Sequence, residues 1–172
     1  GVAGRAEAPD HVVGEVAADR AGLAGVADGQ GGDLDLVSYF GWRHMNALPQ
    51  HGIVADLAAG RVTGPDGNVD TLISIEAISG TIFADVLQGS TADNLFIGRA
   101  GSDTIDGRGG FDIAWYDYDS TGGILVDLAK GTVRDGFGGL DRLTSVEGVV
   151  GTRLADRFID TRGAQSFDGG AG

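Results

Sequence analysis

Acidic and amide side chains recur every nine residues between positions 80 and 115 of this 172-residue chain. Written in nines, the stretch reads GTIFADVLQ, GSTADNLFI, GRAGSDTID and GRGGFDIAW. The sixth residue of each nine carries a side-chain oxygen: Asp85, Asn94, Asp103 and Asp112. Oxygens of this kind, together with backbone carbonyls, are the ligands that a hard cation such as Ca²⁺ takes. The spacing therefore indicates a series of turns that can each contribute to a cation site.

Each nine also contains the residues needed to position such a turn. It begins with glycine, which adopts positive φ without a steric penalty and so suits a tight turn with exposed carbonyls. The eighth residue is apolar in every frame: Leu87, Phe96, Ile105 and Ala114. We predict a six-residue turn followed by a three-residue strand whose middle side chain points inward.

The most regular nine is GRAGSDTID, residues 98–106, which departs from the pattern G-G-x-G-x-D-x-U-x only at Arg99. The stretch resembles the RTX (hemolysin-type) calcium-binding repeat. In that family two nonapeptides form one coil of a right-handed parallel β-roll, and a calcium ion lies between turns n and n+2. The resemblance implies an all-β fold, a right-handed parallel β-roll or β-helix of stacked nonapeptide coils, with Ca²⁺ as cofactor.

The alternation of turns then pairs the candidate ligands on two edges. Asp85 and Asp103 are expected to share one edge and to form the strongest site. Asn94 and Asp112 share the other edge, where the neutral Asn94 weakens the site and Asp93 could compensate. Glu76, one frame earlier, stacks below Asn94 as a third pair. The full set of predicted metal-site residues is Asp85, Asp103, Asn94, Asp112, Gly98, Gly101, Gly107, Gly109, Asp93, Glu76, Asp156 and Glu147.

An aspartate in a glycine-rich turn can instead accept hydrogen bonds from its own backbone. Consecutive copies in phase, within an acidic chain that has no cysteine, favour calcium over this alternative. For Glu76 and Glu147 two interpretations stay open: a metal ligand, or a buried carboxylate held by backbone N–H groups.

The chain also contains an internal duplication. Asp56, Gly60, Glu76 and Asp85 recur as Asp127, Gly131, Glu147 and Asp156, and the offset in numbering is 71 in each case. We place repeat one at about 31–106 and repeat two at about 107–172, together an RTX-like roll over 30–172. Repeats of this length are typical of stacked architectures. The match to the first repeat stops part-way through a turn, so we expect the sequence to be a fragment, with Gln165 opposite Glu147 a poor ligand.

The composition excludes several classes of function. The net charge of −13, from 25 acidic and 12 basic residues, disfavours binding to nucleic acid. The chain has no cysteine, so neither disulfides nor a thiolate metal site stabilise the fold. No apolar stretch is long enough to span a membrane, and no signal peptide is visible. Bound divalent cations would offset the self-repulsion of so many carboxylates.

Two segments fit the nine-residue frame poorly. Residues 1–29 form an irregular or capping N-terminal segment in this interpretation, where Pro9-Asp10 could begin a short helix. The segment from Trp42 to His51 falls in an insertion of the first repeat. Its histidines, His44 and His51, lack the spacing of a zinc site, so an exposed loop or a binding loop is favoured.

We find no protease zinc motif, no nucleophile elbow and no acid–base cluster in the sequence, so we expect no enzyme activity in these residues. The resemblance implies a calcium-binding module of a secreted bacterial protein, exported by type I secretion and folding outside the cell. In the family such arrays are attached to serralysin-like proteases, lipases, epimerases, polysaccharide lyases and large adhesins. A polysaccharide or cell-surface partner, and self-association through an exposed end of the roll, are further expectations.

Overall fold

The computed structural model describes residues 11–15, 26–29, 34–40, 51–65, 67–117, 120–159 and 166–170. Within this part of the chain the structure consists of short β-strands joined by turns. The strands are β1 His11–Glu15, β2 Val26–Asp28, β3 Asp35–Ser38, β4 Val54–Asp56, β5 Arg61–Thr63, β6 Val69–Ile73, β7 Ala77–Ser79, β8 Val86–Gln88, β9 Leu95–Ile97, β10 Thr104–Asp106, β11 Ile113–Trp115, β12 Leu125–Asp127, β13 Thr132–Arg134, β14 Leu140–Thr144, β15 Gly148–Val150, β16 Arg157–Ile159 and β17 Ser166–Asp168.

The strands form two sheets that face each other. The seven-stranded sheet has the order β1-β3-β7-β9-β11-β15-β17, and every pairing in it is parallel. The ten-stranded sheet has the order β16-β12-β13-β14-β10-β8-β4-β5-β6-β2. Between β8 and β11 the chain alternates from one sheet to the other at every strand, so two nonapeptides make one coil. This is a parallel β-roll, which confirms the predicted fold class.

The core lies between the sheets and is one side chain deep on each side. The middle residue of each three-residue strand points inward, and Leu87, Phe96, Ile105 and Ala114 are at most 1% exposed. These residues are stacked in register with their neighbours, Leu87 on Ile105 and Phe96 on Ala114. Fully burying a side chain such as Leu or Phe contributes about 1.5–3 kcal/mol. The predicted inward position of the eighth residue therefore builds the core.

The duplication is visible in the strands themselves. The six strands β4 to β9 recur in the same order as β12 to β17, and every one is displaced by the same offset in numbering. In both copies the first three of these strands pair antiparallel, as β4-β5-β6 and as β12-β13-β14. We call each set of three a meander. These antiparallel meanders are additions to the parallel coils that the resemblance implied.

The N-terminal strands extend both sheets. β1 pairs with β3 in the seven-stranded sheet, and β2 pairs with β6 in the ten-stranded sheet. A strand, not the short helix that Pro9-Asp10 suggested, therefore occupies His11–Glu15. No helix in the described part of the chain is long and apolar enough to cross a membrane. The segment 41–50, with Trp42 and His44, lies outside the described residues.

Candidate metal centre

The turns that join the two sheets lie along two edges of the roll. We call edge one the stack of turns that lead from the seven-stranded to the ten-stranded sheet, residues 80–85 and 98–103. Edge two is the stack that leads back, residues 89–94 and 107–112. Successive turns therefore lie on alternate edges of the roll, as the sequence predicted.

On edge one each carboxylate bridges two turns. The Asp85 amide donates to Asp103 Oδ1 at 2.9 Å, across a separation of 18 residues. Asp103 donates its own amide to Asp141 Oδ1 at 2.9 Å. At the lower end, Asp85 Oδ1 accepts from the Ile53 amide at 2.7 Å, and Asp85 Oδ2 accepts from the Thr81 amide at 2.7 Å. The result is a ladder of buried carboxylates, each held by backbone N–H groups.

Edge two repeats this pattern with one neutral member. The Asn94 amide donates to Asp112 Oδ1 at 2.8 Å, and the Asp112 amide donates to Glu147 Oε2 at 3.0 Å. Asn94 Nδ2 donates to the Glu76 carbonyl at 3.2 Å, which links the third predicted pair. Asp93 is exposed and accepts from the Phe111 amide. The side chain of Asp93 thus faces the next turn of the same edge.

Glu76 and Glu147 each accept a hydrogen bond from a backbone N–H group, which is the second of the two interpretations left open for them. Glu76 Oε2 accepts from the Asp35 amide at 3.1 Å, as Glu147 Oε2 does from that of Asp112. Both carboxylates are therefore held by backbone N–H groups, in the same way in the two repeats. Asp156 also repeats its counterpart Asp85, since it accepts from the amides of Ile124 and Thr152 at 2.8 and 2.7 Å.

Glycine is required where the turns approach each other. Gly101 and Gly110, the fourth residues of their nines, have φ of 129° and 114°, in the region that L side chains rarely adopt. A Cβ on either would lie 2.6–2.7 Å from a carbonyl oxygen of the preceding turn on the same edge. The predicted set contains Gly109 and not Gly110, although Gly110 is the fourth residue of its nine, as Gly101 is. Gly98 and Gly107 are adjacent to the carboxylates of Asp103 and Asp112, which a Cβ would meet.

Among the residues that the structure describes, two of these carboxylates each have an oxygen with no hydrogen-bond partner. These oxygens are Asp103 Oδ2 and Asp112 Oδ2, which are buried in residues that are 1% and 0% exposed. A buried polar atom without a partner costs about 1–3 kcal/mol, and more if it is charged. A separate cation on each edge would satisfy these oxygens, so the residues of each edge fit a metal ion. Within the described residues no three Asp, Glu, His or Cys side chains form a common cluster, so backbone carbonyls would supply much of the coordination.

The electrostatics of edge one favour a cation in the same place. Burial raises the pKa of Asp85 to about 7. Burial, reinforced by the carboxylates of Asp141 and Asp85, raises the pKa of Asp103 to about 9. On edge two, burial raises the pKa of Asp112 to about 6. Ionising these groups together is unfavourable in the fold unless a positive charge binds among them.

Comparison with protein families indicates which cation the array binds. Residues 79–114 match the model of the RTX calcium-binding nonapeptide repeat, in four copies. Residues 79–114 are an RTX array. The RTX nonapeptide family binds calcium ions, so Ca²⁺ is the cofactor of this array. RTX repeats are typical of secreted bacterial proteins. No curated protein matches the chain at a significant level.

The RTX array does not contain all the residues that its ladders use. Asp141, which accepts the Asp103 amide, and Glu147, which accepts that of Asp112, both lie beyond residue 114. The sequence identified Glu147 through the duplication but missed Asp141 as the upper end of edge one. Gln165 lies outside the described residues. Calcium binding by the individual predicted residues stays a prediction.

Because the pKa values of the ladder carboxylates are raised, we expect protonation at low pH to stabilise the calcium-free fold of the RTX array. Without calcium, Asp103 in the fold holds its proton up to about pH 9, whereas in the unfolded chain it ionises at about pH 4. The calcium-free fold therefore keeps this stability below about pH 4 and loses it as the pH rises towards 9. In chelator, we therefore expect more β structure at about pH 5 than at about pH 8, where the calcium-free chain is expected to be largely unfolded, and circular dichroism measures the difference. β structure in chelator that increases with pH would contradict this assignment.

Proposed function

We propose that this chain provides a calcium-dependent, non-catalytic β-roll module of a secreted bacterial protein, which folds when it binds Ca²⁺ outside the cell. The observation that carries the proposal is the pair of buried, unpaired carboxylate oxygens of Asp103 and Asp112. They lie at equivalent positions on the two edges of an array whose family binds calcium. The fold buries both oxygens, and no described residue gives either of them a hydrogen bond.

Folding and calcium binding should be one event in such a module. Each bridged pair comes from two turns 18 residues apart, as for Asp85 and Asp103, so neither half of a site exists before the coils stack. The net charge of −13 opposes compaction of the calcium-free chain. Extracellular calcium modules bind with Kd of about 10⁻⁴–10⁻³ M, so calcium at external concentrations would shift the chain to the folded form.

Circular dichroism at neutral pH tests the proposal directly. We expect β structure to appear as calcium chloride is added to the chelated chain and to disappear when chelator is restored. Magnesium chloride at the same concentration is the matched control, because Mg²⁺ demands near-ideal octahedral geometry and dehydrates reluctantly. A spectrum that is indifferent to calcium and to chelator would refute calcium-dependent folding.

The RTX resemblance also supports export through a type I channel, in which the acidic chain travels unfolded because cytosolic calcium is scarce. The alternative is that the chain is a segment of a secreted RTX enzyme or a calcium-dependent adhesin whose activity lies elsewhere. Binding of a polysaccharide or a cell surface, and self-association through an end of the roll, stay predictions. Pull-down on polysaccharide with and without calcium distinguishes a binding module from a purely structural one.

A further inference from the structure

The meander of the second repeat places a turn directly above the RTX array. The turn between β13 and β14 lies over residues 98–103: Asp103 donates its amide to Asp141 Oδ1, and Leu140 donates its amide to Ser102 Oγ at 3.0 Å. The strand that follows continues the stack, with Leu143 in register on Ile105. A hairpin turn thus occupies the place that the next nonapeptide turn would have on edge one.

This hairpin turn has the chemistry of a nonapeptide turn, although it lies outside the matched residues. Read from Gly136, it has glycine first and fourth, Asp141 sixth and Leu143 eighth. Asp135 precedes it and is 4% exposed. Asp135 Oδ1 accepts from the amides of Phe137 and Gly139 at 3.0 and 2.6 Å, which closes the turn.

The other oxygen of Asp135 has no hydrogen-bond partner in the part of the chain that the structure describes. This oxygen, Oδ2, is buried, as is the unpaired Asp103 Oδ2 in the turn below. Asp135 Oδ2 and the Gly101 carbonyl oxygen approach the same point: a Cβ on Gly139 would collide with the carbonyl and lie 2.7 Å from Asp135 Oδ2. Because Gly139 has no side chain, the Asp135 carboxylate and the Gly101 carbonyl can lie close together at this point.

Asp103 lies directly below this turn, since its amide donates to Asp141 Oδ1 at 2.9 Å. In the described part of the chain Asp103 Oδ2, like Asp135 Oδ2, is buried without a hydrogen-bond partner. Two buried carboxylate oxygens without partners are unfavourable unless a cation binds beside them.

We propose that Asp135, with the Gly101 carbonyl and the adjacent Asp103, forms an additional Ca²⁺ site between the hairpin turn and the RTX array. The site rests on the proposed calcium-dependent function and extends it beyond residue 114. Asp135 and Asp103 supply the negative charge, and carbonyls and water would complete the six to eight oxygens that Ca²⁺ takes. The ion joins the meander to the array, so it would fix the second repeat to the first.

The site belongs to the second repeat. In the first repeat the positions equivalent to Asp135 and Gly139 are occupied by Gly64 and Asn68. The ends of the two turns are joined in the same way, since Gly64 donates to the Asn68 carbonyl at 2.9 Å as Asp135 does to that of Gly139 at 3.2 Å. The first hairpin therefore closes as the second does but has glycine at the position of Asp135.

Isothermal titration of the whole chain with calcium chloride tests the site. Asp135→Asn retains Oδ1 as an acceptor and removes the charge, so we expect one fewer bound ion, or an affinity at least about tenfold weaker in one binding step. Asp168→Asn is the matched control, because Asp168 also accepts the amide two residues on, that of Gly170 at 2.9 Å. The Asp168 variant should bind as the unaltered chain does.

The outcomes separate this inference from the proposed function. If the unaltered chain binds no calcium, the proposed function fails; if it binds and Asp135→Asn binds identically, only the additional site fails. Anomalous scattering from crystals of the unaltered chain grown with calcium gives a second measurement that does not depend on a variant. A peak between Gly101 and Asp135 supports the site, whereas its absence, with the array sites occupied, overturns it.

Discussion

Asp103→Asn is expected to weaken the calcium response of the chain more than any other single carboxylate substitution. Asp103 is the carboxylate that edge one shares between the turn below, through Asp85, and the hairpin turn above, through Asp141. Asparagine can keep Oδ1 as the acceptor of the Asp85 amide but replaces the unpaired, charged Oδ2 with a donor. We expect the calcium concentration at half-folding to rise by at least about tenfold, because ligand charge sets the affinity of such sites.

Without calcium, the same substitution is expected to have no destabilising effect. In the calcium-free fold the pKa of Asp103 is raised to about 9, so this carboxyl is largely protonated at neutral pH and resembles a neutral amide. In chelator, Asp103→Asn should therefore keep at least as much β structure as the unaltered chain, and that amount should depend less on pH. Asp168→Asn is the control, since Asp168 lies outside the array and its carboxylate accepts the Gly170 amide at 2.9 Å. Equal loss of calcium response in both variants would show that general charge, not the ladder, governs binding.

Gly101→Ala is expected to destabilise the calcium-bound fold by about 3 kcal/mol. Gly101 has φ of 129°, which alanine adopts only with strain, and the added Cβ would lie 2.7 Å from the carbonyl oxygen of Phe83. Moving residues 98–103 away from residues 80–85 to relieve the contact would lengthen the Asp85–Asp103 hydrogen bond. Chemical denaturation in saturating calcium measures the loss.

Gly109→Ala is the matched control in the next nonapeptide. A Cβ on Gly109 meets nothing nearer than the Cα of Thr91 at 3.9 Å, and its φ is not in the positive range. We expect a neutral effect or a gain of about 0.4–1 kcal/mol, because alanine restricts the unfolded chain more than glycine does. If both variants lose stability equally, glycine acts in these turns through general flexibility and not through close approach.

The array could be predicted from the sequence because each turn and strand is determined by residues that are close together in the chain. Nine residues set one turn and one strand, and the strand buries one side chain, as Leu87 and Ile105 show. The alternation of edges follows from that period without any knowledge of distant contacts. The same reasoning explains why Asp85 and Asp103 were paired correctly on one edge.

The meanders were missed because their strands carry no such period. Arg61–Thr63 and Thr132–Arg134 are short, and only the pairing with strands on both sides makes them part of a sheet. Short strands of this kind depend on tertiary context more than on propensity. Gly60, with φ of 61°, lies in the hairpin turn between β4 and β5.

Asp141 was missed for a related reason. Its nine, beginning at Gly136, contains the glycines, the aspartate and the apolar eighth residue, so the signal was present. The inserted strands β12 and β13 shift this nine out of phase with the array. Only the fold shows that Leu143 stacks on Ile105 and that the hairpin turn continues edge one.

The bridging of alternate turns limits how such an array can change in length. Inserting two nonapeptides, for example between Asp106 and Gly107, would return every later carboxylate to its own edge and every later strand to its own sheet. Inserting a single nonapeptide would exchange the edges, and would direct the meander of the second repeat towards the wrong sheet. Tolerated insertions and deletions in this region should therefore come as whole coils, each a pair of nonapeptides, even though the repeat visible in the sequence is a single one.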